Sequence, residues 1–193
     1  MSPRSRLPKA QLSLFGEEPP ADVLAAEYTS ARVLAEGLPP TVFLGTSSWA
    51  FPGWYGLVYG RKQSQPVLAR DGLAEYARHP LLRTVGIDRG FYAPIPADDL
   101  QRYAAQLPPG YPCCTKAPAL VTSAVHFGHG WGAAGEPNPD FLSPDRFMEA
   151  MGQVFLDHFR DHTGPFILEF PPTRPDQRPA PELFAERLDR FFS

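Results

Sequence analysis

Residues 84–92 read TVGIDRGFY and have the pattern of a strand that leads into a helix. This stretch opens with a short apolar and β-branched run, which is typical of a buried strand. Residues 96–107 follow it with the spacing of a helix, and Asp98 and Asp99 favour the amino end of that helix. Because the same strand-then-helix order recurs along the chain, the sequence predicts parallel strands joined by helical crossovers.

About four such units follow one another. The expected strands lie at residues 41–45, 84–92, 111–117 and 165–170, and the helices that follow them at residues 69–77, 96–107, 143–162 and 181–193. Ser143 and Pro144 suit the N-cap and first position of the third of these helices. A complete (β/α)8 barrel has eight units in about 250 residues. The sequence therefore predicts an α/β fold with an incomplete TIM-barrel-like parallel sheet. A small open doubly wound sheet is the alternative, although no strand is followed by the glycine-rich turn of a nucleotide site.

The amino-terminal part of the chain differs in character from the rest. Residues 1–12 alternate basic, proline and polar residues, and residues 1–20 together predict a flexible tail. Residues 21–38 have apolar positions at helical spacing, and Pro39 and Pro40 end that extra helix. We therefore expect a tail at residues 1–20 and one partial barrel domain at residues 21–193.

Composition excludes several classes of protein. The chain has 193 residues, 43% hydrophobic and 20% charged, which is too apolar for wholesale disorder. Its net charge of -3 gives no global basic field for non-specific DNA binding. The adjacent Cys113 and Cys114 suit neither a loop-closing disulfide nor a zinc knuckle, and no segment has the length of a membrane span or the pattern of a signal peptide. We expect a cytoplasmic protein with no membrane partner.

Four motifs resemble those of a known family. Residues 45–56, GTSSWAFPGWYG, are similar to the opening signature of the YecE-like family (domain of unknown function 72), which has a TIM-barrel-like fold. Residues 84–92 resemble its second-strand motif V-E-I-N-x-T-F-Y, residues 115–118 its K-A-P, and residues 168–172 its Q-F-P-P. The resemblance implies that the chain covers the first half of the family's barrel.

This sequence departs from the family's motifs at four positions. Gly86 stands where the family has Glu, Asp88 where it has Asn, Gly90 where it has Thr and Glu169 where it usually has Gln. The family has no established activity to carry over, so these residues are interpreted from their own chemistry.

Polar residues follow the expected strands at the end where parallel sheets bind ligands. Asp88 and Glu169 are candidate catalytic acid and base, and Lys116 is a candidate anion-binding and catalytic residue. The candidate pocket residues are Ser47, Ser48, Trp49, Trp54, Arg89 and Tyr92. Two alternatives remain open: the charged residues pair with one another in a buried layer, and the aromatic residues plug the mouth of the sheet.

The long connection 119–142 is a second candidate site. It contains His126 and His129, whose spacing with a nearby carboxylate suits a divalent metal such as Zn²⁺ or Mn²⁺. A pair of histidines without a third ligand is equally typical of a solvent-exposed loop. The remaining histidines, His79, His158 and His162, lie at expected helix ends and are expected to be helix C-terminal groups or surface groups.

The tail contains a short, specific motif at residues 11–15, QLSLF. It resembles the pentapeptide by which bacterial replication and repair proteins dock on the β sliding clamp. The resemblance implies that Gln11 lies at the edge of the clamp pocket and that Leu12, Leu14 and Phe15 supply the apolar contacts. The alternative is that the same apolar residues fold back on the chain's own domain.

Two functions follow from these features. One is a DNA-metabolism accessory that the clamp brings to DNA indirectly. The other is a barrel-type enzyme acting on a phosphate- or carboxylate-bearing small molecule. A half-barrel also leaves strand edges and an apolar inner face uncovered, which predicts a homodimer or a poorly stable chain, with Val23, Leu24, Val33 and Leu34 of the extra helix facing the sheet.

Overall fold

The computed structural model describes residues 21–126 and 133–193. Its four strands are β1 (Leu44–Thr46), β2 (Leu82–Ile87), β3 (Cys113–Lys116) and β4 (Thr163–Ile167). All are parallel and lie in the order β1-β2-β3-β4. The predicted incomplete barrel-like sheet is therefore confirmed. The second strand is shorter than expected at its carboxyl end, because the chain turns into a single 3-10 turn at Arg89–Phe91.

The helices connect the strands in the expected places. They are α1 (Ala21–Glu36), α2 (Gln65–Asp71), α3 (Leu73–Tyr76), α4 (Ala97–Ala104), α5 (Ala119–Thr122), α6 (Pro144–Phe147), α7 (Gln153–His158) and α8 (Pro181–Phe192). Within the described ranges, none of them is long and apolar enough to cross a membrane. A π-helical turn joins α6 to α7, in place of the one regular helix expected there. Ser143 caps α6 as predicted, since its hydroxyl accepts a hydrogen bond from the Arg146 amide.

The chain forms two compact units. The first comprises the residues up to Leu44 together with Trp49–Arg83, and the second comprises Gly45–Ser48 and Thr84–Ser193. The prediction of one domain over residues 21–193 stays a prediction.

In the first unit, α1 packs through a different stripe from the one expected. Ala31 is buried, and the Tyr28 hydroxyl donates a hydrogen bond to the Val58 carbonyl at 2.9 Å. Val33 and Leu34 are 65% and 63% exposed, so the expectation that they face the sheet was wrong. Tyr28 and Ala31 lie three residues apart on one face of the helix, whereas Val33 lies on the opposite side and Leu34 at the edge of that face.

In the second unit, side chains of the parallel strands alternate between a buried face of the sheet and a less buried face. Val85 pairs with Cys113 and Ile87 with Thr115, and all four side chains are buried on the same face. Phe166, opposite Thr115, packs there against Phe147 and Phe155 of the helical layer, with ring centroids 5.1 and 5.4 Å away. The alternate residues point to the other face: Gly86, Cys114 and Lys116 are half-buried there and Ile167 is 46% exposed.

Candidate functional site

Three charged side chains meet at the carboxyl ends of neighbouring strands. Asp88 directly follows β2, Lys116 ends β3, and Glu169 lies two residues beyond β4. The Lys116 ammonium nitrogen lies 2.8 Å from a carboxylate oxygen of Glu169 and 3.4 Å from one of Asp88. The sequence placed these residues at one end of the sheet, and the structure brings them together. We call this group the strand-end cluster.

The strand-end cluster is accessible to solvent. The Lys116 side chain is 27% exposed, Asp88 35% and Glu169 51%. The three residues pair with one another, as the alternative interpretation expected, but none of them is buried. The ion pairs therefore contribute little to folding, because water screens partly exposed charges. A small molecule can reach all three.

The hydrogen bond that Lys116 donates to the Glu169 carboxylate, together with the charge of Asp88, raises the pKa of Lys116 above its ordinary value. Lys116 is consequently an ammonium ion at neutral pH. It can donate hydrogen bonds and stabilise negative charge, but it is not available as an amine nucleophile or a base.

The segment after β1 lies close to β2, the strand that Asp88 directly follows. A Cβ atom built on Gly86 would lie 2.8 Å from the Cα atom of Ser47, so only glycine allows this approach. The departure of Gly86 from the family's Glu thus has a steric reason in this chain. Ser47 and Ser48 are exposed, and the Thr46 hydroxyl donates to the Ser48 carbonyl at 2.7 Å.

Two predicted pocket residues have other contacts in the second unit. The Arg89 guanidinium lies 2.7 Å from Asp99 and donates to the Tyr103 hydroxyl at 2.8 Å, so it contacts α4. Tyr92 is 60% exposed and its ring contacts Phe91 edge-on.

The two predicted tryptophans pack within the first unit, and Trp49 belongs to its buried core. Trp49 is 6% exposed, and its indole donates to the Leu68 carbonyl at 2.9 Å. The Tyr59 hydroxyl donates in turn to the Trp49 carbonyl. Trp54 is half-buried and packs near Tyr76, with ring centroids 6.1 Å apart.

The metal prediction rests partly on residues that the structure does not describe. His126 is half-buried, and its backbone amide donates to the Glu136 carbonyl. His129 lies outside the described residues. Across residues 21–126 and 133–193, no three or more His, Cys, Asp or Glu side chains group closely enough to hold a metal ion.

His162 ends the 3-10 turn Arg160–His162, as the helix-end prediction expected, but the surface alternative is wrong for it. This residue is 7% exposed, and its Nδ1 lies 3.0 Å from the Tyr111 carbonyl oxygen. His79 is half-buried, and burial lowers its pKa. His158 lies at the end of α7 as expected and pairs with Gln101 at 3.0 Å.

Sequence reasoning missed Asn138, a buried polar residue in the 119–142 connection. Asn138 is 5% exposed, and its side-chain amide donates to the carbonyl oxygens of Leu120 and Ser123 at 2.6 and 2.7 Å. Its carbonyl oxygen accepts from the Asp140 amide at 3.0 Å. The residue lies between two prolines in the sequence, which is the only local signal of an ordered turn.

The motif at Gln11, Leu12, Leu14 and Phe15 lies outside the described residues, so its interpretation rests on the sequence.

Comparison with known proteins identifies the family of the chain. No curated protein and no solved structure matches the chain. Residues 43–193, most of the chain, match the model of a family described as protein of unknown function DUF72. As the four strand motifs predicted, this chain is a member of the DUF72 (YecE-like) family.

Proposed function

We propose that the chain is a barrel-type enzyme that acts, at the strand-end cluster, on a small molecule carrying a carboxylate or phosphate group. The observation that supports this most is the position of the Lys116 ammonium between two accessible carboxylates, with distances of 2.8 Å to Glu169 and 3.4 Å to Asp88. The carboxyl ends of parallel strands are where such sheets bind their ligands.

Each residue of the cluster has a distinct role in this proposal. Lys116 binds the anionic group of the substrate through charge-assisted hydrogen bonds. One carboxylate accepts a proton from the bound molecule, and the fixed positive charge of Lys116 stabilises the negative charge that the substrate then carries. Asp88, the less exposed of the two carboxylates, is our choice for the base.

A ligand screen tests this proposal. A molecule that binds only the native state raises the melting temperature, so wild-type protein is heated with a panel of small carboxylates and phosphate esters. We expect at least one class to stabilise the wild type and the Lys116→Met variant to lose that stabilisation. Arg174 forms an exposed ion pair with Asp176 elsewhere in the same unit. Arg174→Met is therefore the matched control, and this variant should keep the stabilisation by the ligand. The proposal fails if no compound stabilises the wild type or if Lys116→Met responds equally.

A second function is favoured by the sequence at residues 11–15. We propose that QLSLF docks on the bacterial β sliding clamp and brings the protein to DNA as an accessory of replication or repair in the cytoplasm. The net charge of -3 supports this route, because a protein without a global basic field needs a partner to reach a polyanion. The two functions are compatible.

Clamp binding is tested with the whole 193-residue chain by surface plasmon resonance. We expect a dissociation constant on the order of micromolar, which is typical of a short linear motif with two apolar anchors. The double substitution Leu14→Ala and Phe15→Ala should abolish binding, whereas Leu7→Ala in the same tail should not. Equal binding by the double variant, or none by the wild type, contradicts recruitment.

A further inference from the structure

We infer that the strand-end cluster selects a monocarboxylate over a phosphate dianion, and that Glu169 occupies in the free protein the position on Lys116 that the substrate carboxylate takes. This inference rests on the proposed enzyme function, and it narrows the substrate to one chemical class. It also gives Glu169 a role different from that of Asp88.

The net charge of the strand-end cluster opposes the binding of an anion. Lys116 contributes one positive charge, and Asp88 and Glu169 each contribute a negative charge, so the free cluster carries one net negative charge. An anion that enters while both carboxylates stay in place meets repulsion from that net charge. A carboxylate therefore has to leave Lys116 before an anion can bind.

Exposure decides which carboxylate leaves. The Glu169 side chain is 51% exposed, against 35% for Asp88, and it hangs two residues beyond the end of its strand. Turning this side chain into water costs little free energy, because water screens an exposed ion pair. Asp88 directly follows β2 and remains beside Lys116.

The exchange determines the class of ligand. When a monocarboxylate replaces the Glu169 carboxylate, the charges around Lys116 return to the same balance as in the free protein. A phosphate dianion brings one further negative charge next to Asp88. One unit charge at about 4 Å in a water-like environment is worth about 1 kcal/mol, which corresponds to about a fivefold difference in affinity.

The affinities of the protein for acetate and for inorganic phosphate test the inference. Wild-type protein, Glu169→Gln and Asp88→Asn are titrated by calorimetry with each anion at about pH 8 and constant ionic strength. We expect the wild type to bind acetate about fivefold more tightly than phosphate, and Glu169→Gln to bind acetate about fivefold more tightly than the wild type does. Asp88→Asn should reduce the preference for acetate. Asp176→Asn, which removes an exposed carboxylate from another ion pair, should change neither affinity.

The outcomes separate this inference from the proposed function. A wild type that prefers phosphate, or a Glu169→Gln variant with unchanged or weaker acetate binding, overturns the inference while anion binding at Lys116 stands. Glu169→Ala removes the same charge and should behave as Glu169→Gln. If neither anion binds any of these proteins, or if Lys116→Met binds them as well as the wild type does, the proposed function fails and the inference fails with it.

Discussion

Gly86 and Ser47 approach so closely that a Cβ atom on Gly86 would lie 2.8 Å from the Ser47 Cα atom and 3.0 Å from its carbonyl oxygen. Both contacts are with backbone, which cannot turn aside as a side-chain end can. We therefore expect Gly86→Ala to lower the free energy of unfolding by about 1 to 3 kcal/mol, a typical penalty for overpacking. Urea unfolding followed by circular dichroism measures this change.

Gly37→Ala is the matched control for that substitution. A Cβ atom there meets only the Leu34 carbonyl oxygen, at an ordinary contact distance of 3.5 Å. Its unfolding free energy should stay within about 0.5 kcal/mol of the wild type, as for most surface substitutions. Equal stability of Gly86→Ala and Gly37→Ala would contradict the close approach of the two segments.

Trp49 stabilises the first unit through packing and a buried hydrogen bond. Trp49→Phe removes the indole that donates to the Leu68 carbonyl and leaves that oxygen without this donor. We expect a loss of about 2 to 4 kcal/mol in unfolding free energy, from the cavity and the lost hydrogen bond together. Phe51→Leu, at a side chain that is 55% exposed, should cost less than about 1 kcal/mol in the same denaturant series. A small effect at Trp49 would show that its role is not structural.

The buried Cys113 thiol makes the free energy of unfolding decrease at alkaline pH. Burial raises the pKa of this thiol to about 12, from an ordinary value of 9.0. Between these two values the unfolded chain releases a proton that the folded chain retains, so the unfolding free energy falls as pH rises from about 9 towards 12, by at most about 1.4 kcal/mol per pH unit. Burial also raises the pKa of Tyr59, which acts in the same direction.

The Cys113→Ala variant isolates the contribution of that thiol. Its unfolding free energy should fall less steeply with pH than that of the wild type above about pH 9, while the Tyr59 contribution remains in both proteins. Denaturant titrations at several alkaline pH values give the two slopes. Identical slopes would mean that burial does not raise the pKa of the Cys113 thiol.

The two edge strands of the sheet predict that the chain pairs with a second copy of itself. Within the described residues, β1 and β4 are the outermost strands, with Leu44 43% exposed and Ile167 46% exposed. Two half-barrels related by a two-fold axis would pair β1 of each copy with β4 of the other and cover both inner faces. We expect a dimer in sedimentation equilibrium and dissociation by Ile167→Lys. Phe192→Ser, at an exposed side chain of α8, should leave the dimer intact. A monomeric wild type contradicts this prediction.

The sequence was informative where a local pattern has one structural meaning. Short apolar runs before helices predicted the parallel sheet, and the polar residues that follow such runs, Asp88 and Lys116 among them, come together because parallel strands end at the same edge. Partners distant in sequence were not predictable. His162 is buried because it meets Tyr111, which lies 51 positions away, and no local pattern encodes that contact. The buried position of Trp49 likewise depends on Leu68.

The most direct test of the account is the response of the lysine side chains to an anion. The chain has three lysines, Lys9, Lys62 and Lys116, so protein labelled with ¹³C-lysine gives a spectrum that single Lys→Arg variants assign. During titration with acetate at constant ionic strength, the Cε signal of Lys116 should shift along a saturable curve, while those of Lys9 and Lys62 move only slightly. A Lys116 signal that stays still, or that moves no more than the other two, would contradict a ligand site at the strand-end cluster.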